Sequence, residues 1–217
     1  HSLAISRSGG IAGVVSFNIF LLIYYSLYSK ILYEYIFICN LMFLIGFLDD
    51  FKINISPLKR LLLMIIFLFS LIYFLPIKIL NIDIFFLSSL LQINIFSSFF
   101  VLLCFLFIIN GANLIDGFNG LLTINLIIIN IVLLYINFSS GNVEFSIFLI
   151  AQITILLCFL LFNFPNAKIF LGDSGSYLMG SLVALNTIIT NNLSQNYSSF
   201  FFCILLFYLF FEVFFSF

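Results

Sequence analysis

The chain has 217 residues, of which 65% are hydrophobic and 7% are charged, and its mean hydropathy is +1.34. Soluble domains carry about 25% charged residues, so this composition excludes a water-soluble core and indicates a polytopic membrane protein. Seven basic and eight acidic residues give a net charge of −1, which leaves no basic face for nucleic acid. We therefore expect the lipid bilayer, and no nucleic acid, as a partner.

Eight apolar runs are long enough, or nearly so, to cross a hydrocarbon core as helices of about 17 to 25 residues. In chain order they are residues 11–28, 31–48, 61–75, 96–111, 120–136, 145–162, 176–190 and 199–217. These runs are apolar on every face, whereas the strands of a membrane barrel alternate with a period of two. The sequence predicts an all-α, polytopic transmembrane helical bundle of about eight spans. It forms one domain, residues 1–217, which we expect to be truncated at both ends.

Four polar islands interrupt the apolar sequence and hold half of the acidic residues. They are Arg7-Ser8-Gly9-Gly10, Leu48-Asp49-Asp50, Asn113-Leu114-Ile115-Asp116-Gly117 and Gly172-Asp173-Ser174-Gly175-Ser176. Consecutive spans alternate in direction, and this alternation places all four islands at one side of the membrane. Five of the seven basic residues lie at the same side, which the positive-inside rule identifies as cytoplasmic.

Two of the islands contain acids whose position favours a functional site. Asp49 and Asp50 end the second span, and one interpretation is an ordinary interfacial helix boundary. Adjacent acids repel each other and are unusual on a basic side, so we favour a site. Asp173 lies among glycines where the seventh span begins. Such a carboxylate suits Mg²⁺, which typically binds one or two protein carboxylates together with substrate phosphates.

The segment 110–120 combines three Asn, one Asp and three Gly between two apolar spans. It could be a tight turn in which the polar side chains cap helix ends. Exposed helix-terminal amides and side-chain amides also suit an anionic, hydrogen-bonding ligand such as a nucleotide. Both interpretations can hold together. Arg7, in the first island, is either a positive-inside anchor or a phosphate ligand.

In this order the islands resemble the polyprenyl-phosphate N-acetylhexosamine-1-phosphate transferases, a family of glycosyltransferase family 4 type. Single pieces of the pattern are weak, but together they cover nearly the whole chain. The pieces are His1…Arg7-x-Gly9-Gly10; Gly46-Phe47-Leu48-Asp49-Asp50 with Ser56-Pro57-x-x-Arg60-Leu61; Asn110-x-x-Asn113-Leu114-Ile115-Asp116-Gly117-x-x-Gly120-Leu121; and Asn163-x-x-x-x-Lys168-Ile169-Phe170-x-Gly172-Asp173-x-Gly175-Ser176.

The resemblance implies transfer of N-acetylhexosamine 1-phosphate from a UDP-N-acetylhexosamine to polyprenyl (undecaprenyl) phosphate, with release of UMP. This step initiates cell-envelope polysaccharide synthesis. It would occur at the cytoplasmic face of a bacterial inner membrane, by in-line attack at the β-phosphate. The implied cofactor is Mg²⁺, with Mn²⁺ as a substitute, and homodimerisation is left open.

The resemblance also implies a role for each matching residue. Asp173 matches the metal ligand, and Asp49 and Asp50 match the paired catalytic carboxylates, to which we add Asp116. Asn113, Asp116 and Gly117 match nucleoside-contacting positions, and Phe170 matches the aromatic residue beneath the uracil. The remaining expected substrate-binding residues are Arg7, Asn119, Asn163 and Lys168.

Two departures from the family pattern and three alternatives accompany this interpretation. Asn119 replaces an acid that many members have, and Ala4-Ile5-Ser6 replaces a Pro-Thr-Pro run. Family members also continue into a loop bearing Arg and His, which we expect beyond Phe217.

Within enzymes, the alternative is the phospho-MurNAc-pentapeptide transferase of peptidoglycan synthesis, although Ser56-Pro57 and Asn119 favour the simpler-sugar branch. Outside enzymes, the alternatives are a membrane transporter and an inactive scaffold.

Overall fold

A computed structural model describes residues 5–51, 55–75, 77–80, 82–194 and 196–216. These ranges leave out His1, Ala4 and Phe217, which were named above, and the basic residue Lys52. Within them the chain is helical apart from short connections and one isolated bridge. The helices are α1 (Gly9–Tyr28), α2 (Tyr33–Asp50), α3 (Pro57–Phe74), α4 (Phe85–Leu91), α5 (Asn94–Ile115), α6 (Leu121–Ser139), α7 (Val143–Asn163), α8 (Gly172–Leu193), α9 (Ser199–Leu205) and α10 (Phe207–Phe215). The predicted all-α class is confirmed.

Five of the described helices, α1, α3, α5, α6 and α7, are long and apolar enough to cross a membrane. Helices α2 and α8 have similar lengths, 18 and 22 residues, but they carry the acidic and polar residues of two islands. The protein is thus a polytopic helical membrane protein.

Helix α8 is the centre of the bundle. Most of its 22 residues are buried, and it packs against α1, α2, α5 and α6. Its sequence is rich in Gly and Ser, and small residues allow helix backbones to approach closely in a membrane. The side chains that α8 presents at its first turn are therefore held from several sides.

A buried polar network in the middle of the bundle joins four helices. The amide of Asn186 on α8 donates to Asn130 on α6 at 3.0 Å and to Gln152 on α7 at 2.6 Å. The Tyr35 hydroxyl on α2 donates to the Asn186 oxygen at 2.7 Å. All four side chains are almost inaccessible, and buried polar groups are costly unless they are paired in this way. The network therefore fixes how α8 is rotated against its neighbours.

The helices extend beyond the predicted spans at the end of the bundle where the islands lie. Helix α2 continues to Asp50 instead of ending at 48, α5 continues to Ile115 instead of 111, and α8 begins at Gly172 instead of 176. Hydropathy marks the part of a helix that lies in hydrocarbon, whereas backbone hydrogen bonding continues through the polar residues that follow. Asp49, Asp50 and Asp173 are consequently helical residues.

The chain between α3 and α5 contains the short helix α4, which was not predicted, and the predicted last span is divided at Leu206 into α9 and α10. The division allows α9 to contact α8 while α10 packs against α5. On α10, Phe210 and Phe214 contact Phe107 of α5. Leu209 lies against Gly111, where a Cβ atom would overlap the Leu209 carbonyl.

Candidate active site

The four islands meet at one end of the bundle, as the alternation of the spans predicts. The segment before α1 runs beside the segment between α7 and α8, where Ser6 and Ile169 form a parallel bridge. Phe170 N–H donates to the Ser6 carbonyl at 2.9 Å, and Gly9 N–H donates to the Phe170 carbonyl at 3.0 Å. Gly10 N–H donates to the carbonyl of Leu171 at 2.9 Å. The first and last islands are therefore joined through their backbones.

The second island is joined to the fourth through Asp50. Its carboxylate accepts from the backbone amides of Asp173 at 3.1 Å and Ser174 at 2.9 Å, and from the Ser174 hydroxyl at 2.6 Å. These amides belong to the first turn of α8, so Asp50 satisfies donors that a helix N-terminus leaves free, and its negative charge suits the helix dipole. The Asp50 side chain is only 6% exposed. It orients α8 rather than facing solvent.

Two backbone features permit this contact between α2 and α8. Gly172 has φ of +77°, a left-handed conformation that glycine adopts without strain, and a Cβ atom there would lie 2.6 Å from the Asp50 carboxylate. One turn back on α2, a Cβ atom at Gly46 would overlap the Asp173 carbonyl. Both glycines are thus required by close approach of the two helices.

Asp49 and Asp173 are joined by Arg60, which lies in the first turn of α3. Arg60 Nη1 donates to Asp49 Oδ2 at 2.6 Å and to Asp173 Oδ2 at 2.7 Å. The side chains of Asp49 and Asp173 are 30% and 21% exposed, so both are more accessible than Asp50. Arg7 contacts the remaining acid of the pair, with Nη1 3.7 Å from Asp50 Oδ1 and its side chain largely exposed.

Asp116 follows the last helical residue of α5 and is the fourth carboxyl group of the site. Burial raises its pKa to about 7, and the negative charges of Asp173 and Asp50 act in the same direction. Arg7 and a hydrogen bond from the Gly172 backbone oppose the shift. A carboxyl group with a pKa near neutrality can gain or lose a proton at physiological pH, which is typical of functional sites.

Asn113 joins the third island to the fourth, and Asn163 joins the two loops that adjoin these islands. Asn113 Nδ2 donates to the Ser176 hydroxyl at 2.9 Å. Asn163 is buried, and its side chain accepts from Gly120 N–H at 2.6 Å and donates to the Ile169 carbonyl at 2.9 Å. Asn163 therefore connects the α5–α6 and α7–α8 loops in this structure, which is a structural role beside the substrate contact expected of it.

The other expected substrate-binding residues lie around the rim of the site. Gly117 is exposed. Asn119 is also exposed, and its amide donates to the Pro165 carbonyl at 3.1 Å. Lys168 is exposed and Phe170 is partly buried. All of the expected site residues from the sequence thus lie at one end of the bundle, and their roles toward a ligand remain predictions.

The donor set fits a hard divalent cation in the manner that Mg²⁺ favours. Asp49 and Asp173 each direct an oxygen at one nitrogen atom of Arg60, so two carboxylate oxygens converge on one position. Among the residues that the structure describes, no group of three or more His, Cys, Asp or Glu side chains could hold a metal alone. Mg²⁺ usually needs only one or two carboxylates when substrate phosphates complete its coordination.

Three residues of the site were not assigned a role from the sequence. Arg60 bridges two acids, Ser174 binds Asp50, and Ser176 accepts from Asn113. A signal existed for Arg60, because it lies one helical turn after Ser56 at the start of a span and on the side with the acids. The serines resemble the other small residues of α8, so their sequence gives no comparable signal.

The geometry defines a helical membrane protein with a carboxylate-rich site at one end of its bundle. The model of glycosyl transferase family 4 matches residues 32–191. The phospho-N-acetylmuramoyl-pentapeptide-transferase of Clostridium perfringens is 33% identical over 153 residues, 67% of this chain and 48% of the relative. That of Streptococcus thermophilus is 34% identical over 154 residues, 67% of this chain and 45% of the relative.

The chain therefore belongs to glycosyl transferase family 4, and the family-level resemblance seen in the sequence is confirmed. The chain spans about half the length of the curated relatives it matches.

Proposed function

We propose that this chain is the membrane core of an enzyme that transfers a sugar 1-phosphate from a UDP-linked donor to a polyprenyl phosphate. The observation that carries this proposal is the single cluster of four carboxyl groups and two guanidinium groups at one end of the bundle: Asp49, Asp50, Asp116, Asp173, Arg7 and Arg60. Such a cluster at the membrane surface can meet a water-soluble nucleotide and a lipid phosphate together.

The structure supports different roles for the paired acids. Asp50 is almost buried, and its oxygens are engaged by the first turn of α8. The Asp49 side chain is more exposed, at 30%, and its carboxylate accepts from Arg60 Nη1. We infer that Asp50 positions Asp173, and that Asp49 shares the metal position with Asp173 and also faces the acceptor phosphate. Mg²⁺ or Mn²⁺, when held by Asp173 and Asp49 with the donor phosphates, would neutralise the charge of the leaving UMP.

The comparisons with relatives change which sugar we propose as the transferred group. Ser56-Pro57 and Asn119 favour a simple N-acetylhexosamine. The relatives are named for phospho-N-acetylmuramoyl-pentapeptide, and they support that alternative better. The Asn119 amide also binds the backbone of Pro165, which gives Asn119 a reason to be an amide that is independent of the donor. We therefore propose phospho-N-acetylmuramoyl-pentapeptide as the transferred group.

The transporter alternative has less support from the positions of the charges. Transporters place substrate and ion sites near the bilayer midplane, whereas the acids of this cluster lie at one end of the bundle. The described polar network in the middle is neutral, and its members hydrogen-bond to each other. By the positive-inside rule we propose that the cluster faces the cytoplasm of a bacterial inner membrane.

The test uses the full-length protein that contains this chain, expressed in membrane vesicles with undecaprenyl phosphate and Mg²⁺. Two radiolabelled donors, UDP-MurNAc-pentapeptide and UDP-GlcNAc, are supplied separately, and label in the lipid extract is measured together with UMP release. We expect transfer from the pentapeptide donor and its loss in Asp173→Asn. Transfer from UDP-GlcNAc alone would restore the simple-sugar assignment. No transfer from either donor by correctly folded protein would contradict the enzymatic proposal.

A further inference from the structure

Arg60 occupies the position on which the oxygens of Asp49 and Asp173 converge. A single nitrogen, Nη1, donates to both carboxylates, at 2.6 and 2.7 Å. The guanidinium carbon also lies 5.9 Å from the ring centroid of Tyr177, within the range of a cation–π contact. The Arg60 side chain is only 18% exposed. It is therefore a well-held cation at the centre of the acidic cluster rather than a surface charge.

A divalent cation that both carboxylates bind would need nearly the same position. Mg²⁺ binds oxygen at about 2.0 to 2.1 Å, which is shorter than the two hydrogen bonds that Arg60 makes. The guanidinium and the metal ion cannot lie between the same two oxygens, and their positive charges repel each other at such separations. Binding of a metal ion by Asp49 and Asp173 thus requires Arg60 to withdraw.

We propose that Arg60 is an internal counter-cation that holds the metal position while no donor is bound and is displaced when a metal–nucleotide complex enters. This inference rests on the proposed function for the identity of the ligand. Once displaced, the guanidinium is released beside the phosphates that accompany the metal. Arginine recognises phosphate oxygens through two parallel hydrogen bonds. The exchange of partners therefore couples metal binding to phosphate binding.

The coupling has a direct consequence for the free protein. Metal alone must displace Arg60 without offering it a new partner, so metal alone binds weakly. Metal with a nucleoside diphosphate offers Arg60 the phosphate oxygens, so the pair binds more tightly than either component. Removing Arg60 should consequently strengthen binding of the metal alone, which is the opposite of what structural damage to the site would produce.

The experiment measures Mn²⁺ binding to the full-length protein in detergent by electron paramagnetic resonance, with and without UDP. We expect Arg60→Gln to bind Mn²⁺ at least about tenfold more tightly than the wild type in the absence of UDP, because one repelling charge is removed. Lys59→Gln is the matched control. Lys59 is exposed on the same turn of α3, and its removal should change Mn²⁺ affinity by less than about twofold because solvent screens its charge.

Arg60→Lys separates charge from geometry and serves if Arg60→Gln does not fold. Lysine retains the positive charge but lacks the planar fork, so we expect Mn²⁺ affinity near that of the wild type and a smaller gain on addition of UDP. Equal or weaker Mn²⁺ binding by folded Arg60→Gln, or an unchanged UDP effect in Arg60→Lys, would overturn the inference. If the wild type transfers no sugar phosphate from either donor, but Arg60→Gln binds Mn²⁺ more tightly than the wild type, the proposed function is contradicted and this inference stands.

Discussion

The carboxylate of Asp50, at the end of α2, accepts two hydrogen bonds from Ser174 in the first turn of α8, one from the amide at 2.9 Å and one from the hydroxyl at 2.6 Å. Hydrogen bonds to a charged group contribute about 1.5 to 3 kcal/mol. We expect Ser174→Ala to lower the free energy of unfolding in detergent by about 1 to 2 kcal/mol. Ser70→Ala is the control, because the described hydrogen bond of that hydroxyl is to the Ile66 carbonyl of its own helix, α3. Equal losses in the two variants would show that the Asp50 contact adds nothing.

A second prediction concerns the close contact of α2 with α8. A methyl group at Gly46 overlaps the Asp173 carbonyl, so Gly46→Ala should force the helices apart and lower stability by about 1 to 3 kcal/mol. Gly117→Ala is the control for folding, since its added Cβ atom would have only the Leu114 carbonyl nearby, at 3.9 Å. Thermal unfolding of both variants measures the difference. A Gly46→Ala protein as stable as Gly117→Ala would contradict the close packing.

The hydrogen bonds of Asn163 predict that its substitution affects stability. Asn163→Ala removes the partners of Gly120 N–H and the Ile169 carbonyl, and each buried group left without a partner costs about 1 to 3 kcal/mol. Asn166→Ala, in the exposed part of the same loop, should have little effect on unfolding. If Asn163→Ala unfolds like the wild type but raises KM for the donor, the residue acts mainly on the substrate.

The polar network in the middle of the bundle can be tested with a double-mutant cycle. Tyr35 and Gln152 both bind Asn186, and polar pairs in membranes couple by about 0.6 kcal/mol on average and up to about 1.7 kcal/mol. We expect Tyr35→Phe and Asn186→Leu to be non-additive by an amount in this range in steric-trap or denaturant unfolding. Tyr73→Phe, on the exposed surface of α3, should add independently to Asn186→Leu.

Asp116 predicts a pH dependence of stability in protein stripped of divalent cations. Its pKa is raised from 3.8 to about 7 by burial and by neighbouring acids. Below pH 3.8 the carboxyl group is protonated in both states and has no effect. Between 3.8 and about 7 only the unfolded state ionises, so stability falls as pH rises, by about 2 to 4 kcal/mol in total.

Asp116→Asn should remove this part of the pH dependence, which is measured by thermal unfolding from pH 4 to pH 8. Asp83→Asn, an exposed acid in the α3–α5 connection, should retain it. An unchanged slope in Asp116→Asn would show that another group is responsible.

Composition and hydropathy were sufficient to predict the helical class and the meeting of the islands at one end, because helices that cross a membrane in succession must alternate in direction. The partners of individual side chains were not predictable in the same way. Helix α1, for example, is apolar on nearly every face, so its hydropathy does not show which face contacts α8; in the structure that face carries Gly10 and Gly13. Arg60 illustrates the result: its side of the membrane was evident, but its contacts with Asp49 and Asp173 depend on how α2, α3 and α8 are rotated.

The roles of Asn119 and Asn163 show a second limit. Both were expected to bind substrate because they match positions of the family pattern, yet in the structure both bind backbone groups of the chain itself. The side-chain amide of such a residue can hydrogen-bond either to the backbone of a neighbouring loop or to a ligand, with the same donor and acceptor atoms. Only the positions of the neighbouring backbone atoms distinguish the two uses.

The backbone bridge between residues 5–10 and residues 169–171 makes completion of the site a late event in biosynthesis. The Gly9 and Gly10 amides bind carbonyls that are synthesised only after α2 through α7 have been made. The beginning of α1 must therefore wait at the membrane surface, without these partners, while the chain through α7 is made. A ribosome-bound chain that stops before residue 169 has every acid of the site except Asp173 and still lacks the strand-like pairing that closes it.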